Sequence, residues 1–471
     1  MNKKIILLMA ALLLTFLPAQ PALAQNATPP NGPVYIIQLG DSLSGIAARF
    51  NISLADLMNA NSIADANNIA AGQKLIIPGL QGINGILATA TLKYGETIQN
   101  ISRRYQIPVN LLQKINHITS PSEMYAGISL IVPQAENAQP LSRRVEVPAG
   151  QSLMESAMLV GSDPYTLTAL NNLTGAWAVM PGDVYYTPGS AAQGASDANG
   201  MPPTFASVEI DALPLTQGRT VKIDITTQPG VILTGMLVDK PLHFATLDET
   251  HAVALQGIHA MLEPGPYPLS LQANLPDGSQ QFFEQMVVVQ SGSYPDDPIL
   301  LVEPATIDPV TTETEVKQIE AITAIFTAAR YWDGIFQSPA YFTDCFTSRY
   351  GNRREYIGQG TEQKYYSFHT GLDFCGGEGL PIAAPAAGVI VFAGPLTIRG
   401  NAVIIDHGWG VYSGFWHQPA IEVQVGQSVQ KGDVIGKVGG TGRVTGAHLH
   451  WEVWVNGIQV NPLDWLETVY P

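Results

Sequence analysis

The chain has 471 residues, too many for one hydrophobic core, so several domains are expected. Its 23 lysines and arginines stand against 39 acids, a net charge of −16. That balance lacks the basic footprint that phosphate binding needs and argues against a nucleic-acid partner.

Residues 1–24 read as a secretory signal, expected to be removed. Lys3 and Lys4 form a positive start, Ile5 to Leu17 an apolar stretch, and Ala22-Leu23-Ala24 a small-residue cleavage site. The stretch is shorter than the ~20 residues of a membrane span, and Pro18 and Pro21 break it. No later segment is apolar for long enough to cross. Losing Lys3 and Lys4 leaves 21 basic residues against 39 acids, a net charge of −18. A monomer is expected in the periplasm, the cell wall or the medium. In such a compartment the even cysteine count, Cys345 and Cys375, favours a disulfide. The two lie too far apart for the close CxxC pairing of thiolate zinc sites.

Residues 34–188 repeat with a period of 55. Gly40, Gly95 and Gly150 mark one phase, and Asn61, Asn116 and Asn171 the next. Gly72, Gly127 and Gly182 follow, then Pro78, Pro133 and Pro188. The copies cover 34–79, 89–134 and 144–188, and each reads strand–helix–helix–strand. In the first, VYIIQLG is a strand. DSLSGIAARFN is a helix that Asp41 or Ser42 can cap, with Leu43, Ile46, Ala47 and Phe50 on one face. SLADLMNAN is the second helix and KLIIPG the closing strand.

These units resemble LysM domains. The resemblance rests on GDSLSGIAARF, ISLADLMNAN and AGQKLIIP in the first copy, and on GETIQNISRRY, IPVNLLQKIN and AGISLIVP in the second. The third, with GQSLMESAMLV, DPYTLTALNN and PGDVYYTP, departs most. The resemblance implies binding of N-acetylglucosamine-containing glycans such as peptidoglycan and chitin. The family's groove lies between the first strand–helix turn and the second helix–strand loop. Carried over, Gly40, Asp41, Ser42 and Ile69 border it in the first copy.

Residues 189–203, GSAAQGASDANGMPP, read as a flexible linker. Residues 204–295 then alternate in RTVKIDITTQ and carry further strand-like runs, which predicts a β-sandwich-like module. His243, His251 and His259 fall here, eight apart, a spacing that fits neither a strand nor a helix ligand pair; they read as surface or core histidines. Residues 293–310 hold four prolines and four acids and read as a second linker. A helix over 311–333 is predicted from the capping-box pattern Thr312-x-x-Glu315, with Val316, Ile319, Ile322 and Ala329 on its apolar face.

Within 335–471, three stretches concentrate chemistry: His369-Thr370-Gly371-Leu372-Asp373, Phe415-Trp416-His417 and His448-Leu449-His450-Trp451-Glu452. AHLHWEVWVNG alternates and ends in a turn, so it reads as a strand with His448 and His450 on one face. His369 and Asp373 add a nitrogen and a carboxylate four apart, with Gly371 letting the backbone turn between them. Two imidazoles and one carboxylate form a three-ligand set that leaves a fourth position for water, the mark of catalytic zinc. Bound zinc lowers the pKa of water from about 15.7 to about 7, and the remaining histidines can move protons near neutrality. His407, in IIDHG, sits beside a turn and reads as structural.

These residues resemble the lysostaphin-type, or LytM-like, peptidoglycan endopeptidases. The resemblance runs from Tyr341 to Leu466 through TSRYGNRR, FHTGLDF, GLPIAAPAAGVIVFAG, GNAVIIDHGWGVYSGFWH, VGQSVQKGDVIGKVGGTGRVTGAHLHWEVWVNG and VNPLDWL. It implies a mainly antiparallel β domain of the duplicated hybrid motif type, with a loop-walled groove that takes the peptide of peptidoglycan. It implies that His369, Asp373 and His450 hold zinc, and that His417 and His448 act on the water and the tetrahedral intermediate. The family usually has tyrosine where Phe415 stands, and the cysteine pair is not a general family feature. Two alternatives are a catalytically silent LytM-like activator and a glycan-binding scaffold. All five site positions are filled, which argues against the first, and binding is compatible with cutting. IAAPAAGVIV and VQVGQSVQKGDVIGKV resemble carrier-domain hairpins, but the chain has no Met-Lys pair. GGTGRVTG lacks the GK[ST] ending of a phosphate loop and reads as a hairpin loop.

Overall fold

A computed structural model describes residues 32–80, 83, 85–120, 123–134, 141, 143–147, 151–178, 184–189, 201–202 and 204–471. The signal expected at 1–24, most of the linker at 189–203, Gly150 and Gly182 lie outside the described residues. Among those described, no helix is long and apolar enough to cross a membrane. The chain divides into two compact units, residues 1–88 with 133–137, and residues 89–132 with 138–471.

The first unit carries the first repeat: β1 (Val34–Ile36), α1 (Leu43–Arg49), α2 (Leu54–Ala60) and β2 (Lys74–Ile76). β1 and β2 pair antiparallel, Tyr35 opposite Leu75, over buried Leu43, Ile46, Ala47 and Leu57. Ser42 rather than Asp41 caps α1, its Oγ accepting from Gly45 N at 3.1 Å. Asp41 instead accepts from the Tyr35 hydroxyl at 2.7 Å and from Gln38 N at 2.8 Å. The recurring asparagine fastens helix to strand. Asn61 Nδ2 donates to Leu57 O and Ile76 O, and its Oδ1 accepts from Ile76 N at 2.6 Å.

The second unit holds most of the second copy and all of the third. The second is β3 (Ile86–Thr91), α3 (Ile98–Tyr105), α4 (Val109–Ile115) and β4 (Ser129–Gln134); the third is β5 (Arg144–Glu146), α5 (Leu153–Leu159), α6 (Pro164–Leu170) and β6 (Val184–Tyr186). Asn116 and Asn171 repeat the Asn61 bonds, to Leu112 and Ile131 and to Leu167 and Tyr186.

Nine strands follow: β7 (Phe205–Ile210), β8 (Leu215–Thr216), β9 (Thr220–Thr227), β10 (Ile232–Leu237), β11 (Lys240–Pro241), β12 (Phe244–Thr246), β13 (His251–Gly257), β14 (Gly265–Asn274) and β15 (Gln280–Gln290). They form two sheets, ordered β11-β10-β14-β15-β8 and β12-β13-β9-β7. Both contribute to one core, with Val208, Ile223 and Ile225 from one sheet and Leu269, Leu271 and Val287 from the other. The alternation in β9 is the reason: Val221, Ile223 and Ile225 are buried there while Lys222 and Asp224 are not.

Two expectations are corrected downstream. Residues 293–310 are not a linker. β16 (Leu300–Val302) pairs parallel with β18 (Arg353–Gly358), and a 3-10 turn at Pro304–Ile307 buries Ile307. The acids there have structural partners: Asp297 accepts from Asn352 at 2.7 Å and from Arg354 Nε at 2.9 Å. The helix, α7, spans Pro309–Thr323 rather than 311–333. Asp308 caps it by accepting from Thr311 N at 2.9 Å, with Pro309 in the first turn. Thr312 and Glu315 lie inside the helix, and Ala329 lies beyond it. Glu315 is buried and accepts from Ile398 N at 2.8 Å, Arg399 N at 3.1 Å and Arg399 Nη1 at 2.9 Å, which fixes α7 to the C-terminal domain.

That domain is mostly one antiparallel sheet. Besides β18 and its partner β19 (Lys364–Phe368), it contains β17 (Phe346–Ser348), β20 (Leu372–Phe374), β21 (Pro381–Ala383), β22 (Gly388–Leu396), β23 (Gly400–Gly408), β24 (Val411–Gln418), β25 (Ser428–Val429), β26 (Val434–Lys437), β27 (Leu449–Val455), β28 (Ile458–Val460) and α8 (Pro462–Glu467). The sheet order is β17-β20-β27-β24-β23-β22-β25. Its core includes Leu372, Val403, Phe415, Trp451 and Trp465. Cys345 and Cys375, just outside β17 and β20, form a disulfide.

Candidate metal centre

The neighbouring strands β20 and β27 bring the first and third stretches together, with Asp373 directly opposite His450. His369 enters from the turn between β19 and β20. There is no room for a side chain at Gly371, where a Cβ would lie 2.3 Å from Trp451 O and 2.7 Å from His450 Nε2. His369 Nε2 lies 3.0 Å from Asp373 Oδ1, His450 Nδ1 2.7 Å from the same oxygen, and the two nitrogens 3.1 Å from each other. All three residues are buried. They are a group able to hold a metal ion among the described residues, with ligand atoms within 4.8 Å of one another.

A second partner on each ring fixes its tautomer. His369 Nδ1 donates to Arg349 O at 2.7 Å, His417 Nδ1 to Thr441 O at 2.7 Å, and His448 Nδ1 to Gly446 O at 2.8 Å. In the neutral rings Nε2 therefore carries the lone pair rather than the proton. His450 is reversed: Nε2 faces Glu452 Oε1 at 3.1 Å, leaving Nδ1 toward the centre. Lone pairs on His369 and His450 thus converge on each other and on a carboxylate, an arrangement that repels unless positive charge sits among them. The donor set, two imidazoles and one carboxylate, fits a catalytic divalent metal.

Burial alone would raise Asp373, but the His369 and His450 rings outweigh it and hold the carboxyl well below its usual range. His369 is pushed down by burial. Burial opposes charge on His450 too, yet Asp373 and Glu452 prevail and raise it. Burial would likewise raise Glu452, but the His450 ring, Arg399 and Thr370 hold it at about 2.

His448 and His417 complete the cluster. His448 Nε2 lies 3.4 Å from Asp373 Oδ1, and the rings of His417 and His448 have centroids 5.3 Å apart. His417 has φ 66°, and β24 carries an extra residue against β23 between Phe415 and Gln418. Such a bulge re-aims a side chain. Burial, and then the His450 and His448 rings, push His417 down to about 3. Phe415 lies in the domain core with no exposed surface. The cleft above the cluster encloses about 650 Å³, walled by Val316 and Ile319 of α7, Tyr356, Tyr365, and Arg443 with Val444 of the loop before β27.

Sequence reasoning gave no role to Glu452, Arg354 or Ser348. Glu452 Oε1 also accepts from Thr370 Oγ1 at 2.6 Å and Trp416 Nε1 at 2.9 Å. Arg354 Nη2 reaches Ser348 Oγ at 2.8 Å and Asp373 Oδ2 at 3.5 Å. Glu452 had a signal, since it stands two residues past His450 on the same strand face; Arg354 had none. The remaining histidines lie apart from the cluster. His407 donates from Nδ1 to Ala387 O and accepts from Ser413 Oγ. His243 stacks on Phe326, His251 pairs with Asp224, and His259 meets Phe368 edge-on while also lining the cleft.

Residues 367–462 match the model of peptidase family M23, and residues 35–78 and 90–133 that of the LysM domain. The chain carries an M23 domain and two LysM domains. Over 99 residues it is 46% identical to the DD-carboxypeptidase/endopeptidase Mpg of Neisseria meningitidis, covering 21% of this chain and 23% of that one. Over 94 residues it is 42% identical to the peptidoglycan DD-endopeptidase ShyC of Vibrio cholerae, covering 20% and 22%. The match to these relatives therefore spans under a quarter of their length. A solved peptidase M23 structure from Pseudomonas aeruginosa is 26% identical, with a TM-score of 0.40, over 54% of this chain and 94% of that one. The M23 match encloses all five clustered residues, and the LysM matches cover the first two repeats.

Proposed function

We propose that this chain is an exported zinc metalloendopeptidase that hydrolyses peptide cross-links of peptidoglycan, held on the wall as a monomer by glycan-binding repeats. The observation that carries the reading is the convergence of the His369, Asp373 and His450 donor atoms, with the free Nε2 atoms of His417 and His448 beside them. His369, Asp373 and His450 hold the ion, and their two-nitrogen, one-oxygen set suits zinc. When bound, the ion supplies Lewis acidity to water and to the scissile carbonyl.

The chain's own residues do the rest. His417, kept neutral by its surroundings, accepts a proton from the attacking water at Nε2. His448 turns Nε2 to the same space, and in its imidazolium form, with Nδ1–H held by Gly446 O, it donates from Nε2 to the oxygen of the tetrahedral intermediate. Glu452 holds the His450 ring in its working tautomer. The cleft walls orient the peptide stem and limit water. N-acetylglucosamine glycan on the repeats raises the enzyme's local concentration on an insoluble substrate.

The test is metal analysis and mass spectrometry of digested peptidoglycan, with wild type beside His450→Ala. Wild type should hold about one zinc and release cross-link fragments, and the variant should do neither. Identical products from both would sink the enzyme reading and leave a silent activator or scaffold.

A further inference from the structure

The second repeat differs from the first in what fills its groove. One period on from Gly40, Asp41, Ser42 and Ile69 stand Gly95, Glu96, Thr97 and Met124. In the first copy Gly40 and Ser42 are exposed and Asp41 and Ile69 half-buried; in the second Gly95, Glu96 and Met124 are buried. The side chain of Gln285, from β15, lies between the two loops. Its carboxamide oxygen accepts from Gly95 N at 2.7 Å, and its nitrogen donates to Glu96 O at 3.3 Å and Met124 O at 3.2 Å. The backbone extends the contact. Ala126 N donates to Met286 O, and Val288 N to Ala126 O, both at 2.8 Å, in a parallel bridge. The Tyr94 hydroxyl donates to Leu269 O at 2.8 Å, and Tyr94 and Ala126 belong to the core of the β module.

Three backbone groups of the groove therefore converge on one amide. The 2-acetamido group of N-acetylglucosamine presents the same pair of functions, a carbonyl acceptor and an N–H donor. We propose that the groove of the second repeat is a receptor for this chain's own β15, with Gln285 in the position of an acetamido group. The second repeat then anchors the β module and takes no glycan, whereas the first keeps Gly40 and Ser42 exposed for the wall. The inference rests on the reading of the repeats as glycan-binding. An occupant on the same chain competes at high effective concentration, so a free sugar does not displace it.

The test is backbone hydrogen exchange on the full mature chain, with and without the β-1,4-linked tetrasaccharide of N-acetylglucosamine. In wild type the sugar should slow exchange around residues 40–42 and 69 and leave 93–98 and 124–127 unchanged. Gln285→Ala should speed exchange at Gly95 at least tenfold and let the sugar protect that groove. Gln285→Glu keeps the shape but cannot donate to the two carbonyls, and it should act in the same direction. Sugar protection of the second groove in wild type, or unchanged Gly95 exchange in both variants, overturns the proposal. If the variants speed Gly95 but the sugar protects neither repeat, the Gln285 contact stands and the glycan reading falls.

Discussion

Glu452 decides which nitrogen of His450 faces the centre, because its carboxylate claims the other. Glu452→Gln keeps an acceptor but removes the charge. It should weaken metal binding by roughly 10–100-fold with the fold intact, read by chelator competition. An unchanged affinity would reduce Glu452 to packing. Phe415 explains its own missing hydroxyl: its ring sits in the core, where Phe415→Tyr would bury an unpaired group and cost about 1–3 kcal/mol in urea denaturation without raising activity. Burial pushes His407 and His417 down to about 4 and about 3. Unfolded, both titrate near 6.5. Between pH 6.5 and about 4 these two positions therefore bind more protons unfolded than folded, and their contribution to stability should fall as pH drops through that window. Urea midpoints of metal-free protein at pH 7, 5.5 and 4.5 measure this, and His407→Gln should flatten part of the slope. At this scale the grouping of His369, Asp373 and His450 was legible in part: spacing puts a carboxylate four from one histidine and two histidines on one strand face, while the choice of His450 over His448 came from the resemblance. The aim of His417 was not, since it depends on a bulge that one strand makes against another.

Among elements, the repeats were legible because the asparagine makes the same backbone bonds in each copy, and the marker glycines of the first two hold positive φ. The asparagine's task emerged only from the structure. Asn61→Ala would orphan the N–H and C=O of Ile76 and should destabilise the first repeat by about 2–4 kcal/mol. Calorimetry should show an early transition for that repeat, with hydrolysis of soluble peptide unchanged. The helix start was misread because Thr312-x-x-Glu315 imitates a capping box, while Asp308-Pro309 a few residues earlier supplies the actual cap. Proline and acid content misled at 293–310 for a related reason. Composition alone does not separate a solvated acid from one whose arginine partner comes from distant sequence, as Asp297 and Arg354 do. Glu315→Ala removes the buried partner of Arg399 and should cost about 3–5 kcal/mol, with α7 becoming susceptible to protease.

Across the whole molecule, the disulfide encloses His369 and Asp373 in a loop with a sequence separation of 30, worth roughly 3–4 kcal/mol in the chain-entropy model. Reduction or Cys375→Ser should lower the thermal midpoint of the C-terminal domain and, with it, metal occupancy. The boundary between units also sets where the chain can be shortened. Tyr94 and Ala126 of the second repeat belong to the core of the β module. Removal through 140 uncovers Val287 and its neighbours, and light scattering should report aggregation.

The pairing of Asp373 with His450 across β20 and β27 has one more consequence. Slipping either strand by a single residue would throw its ligand to the opposite side of the sheet. A misaligned chain would then offer two of the three donors at most, and its hold on an ion would be correspondingly weak. On the proposed function, capture of the cation would then act as an inspection step that only molecules with correctly partnered strands pass.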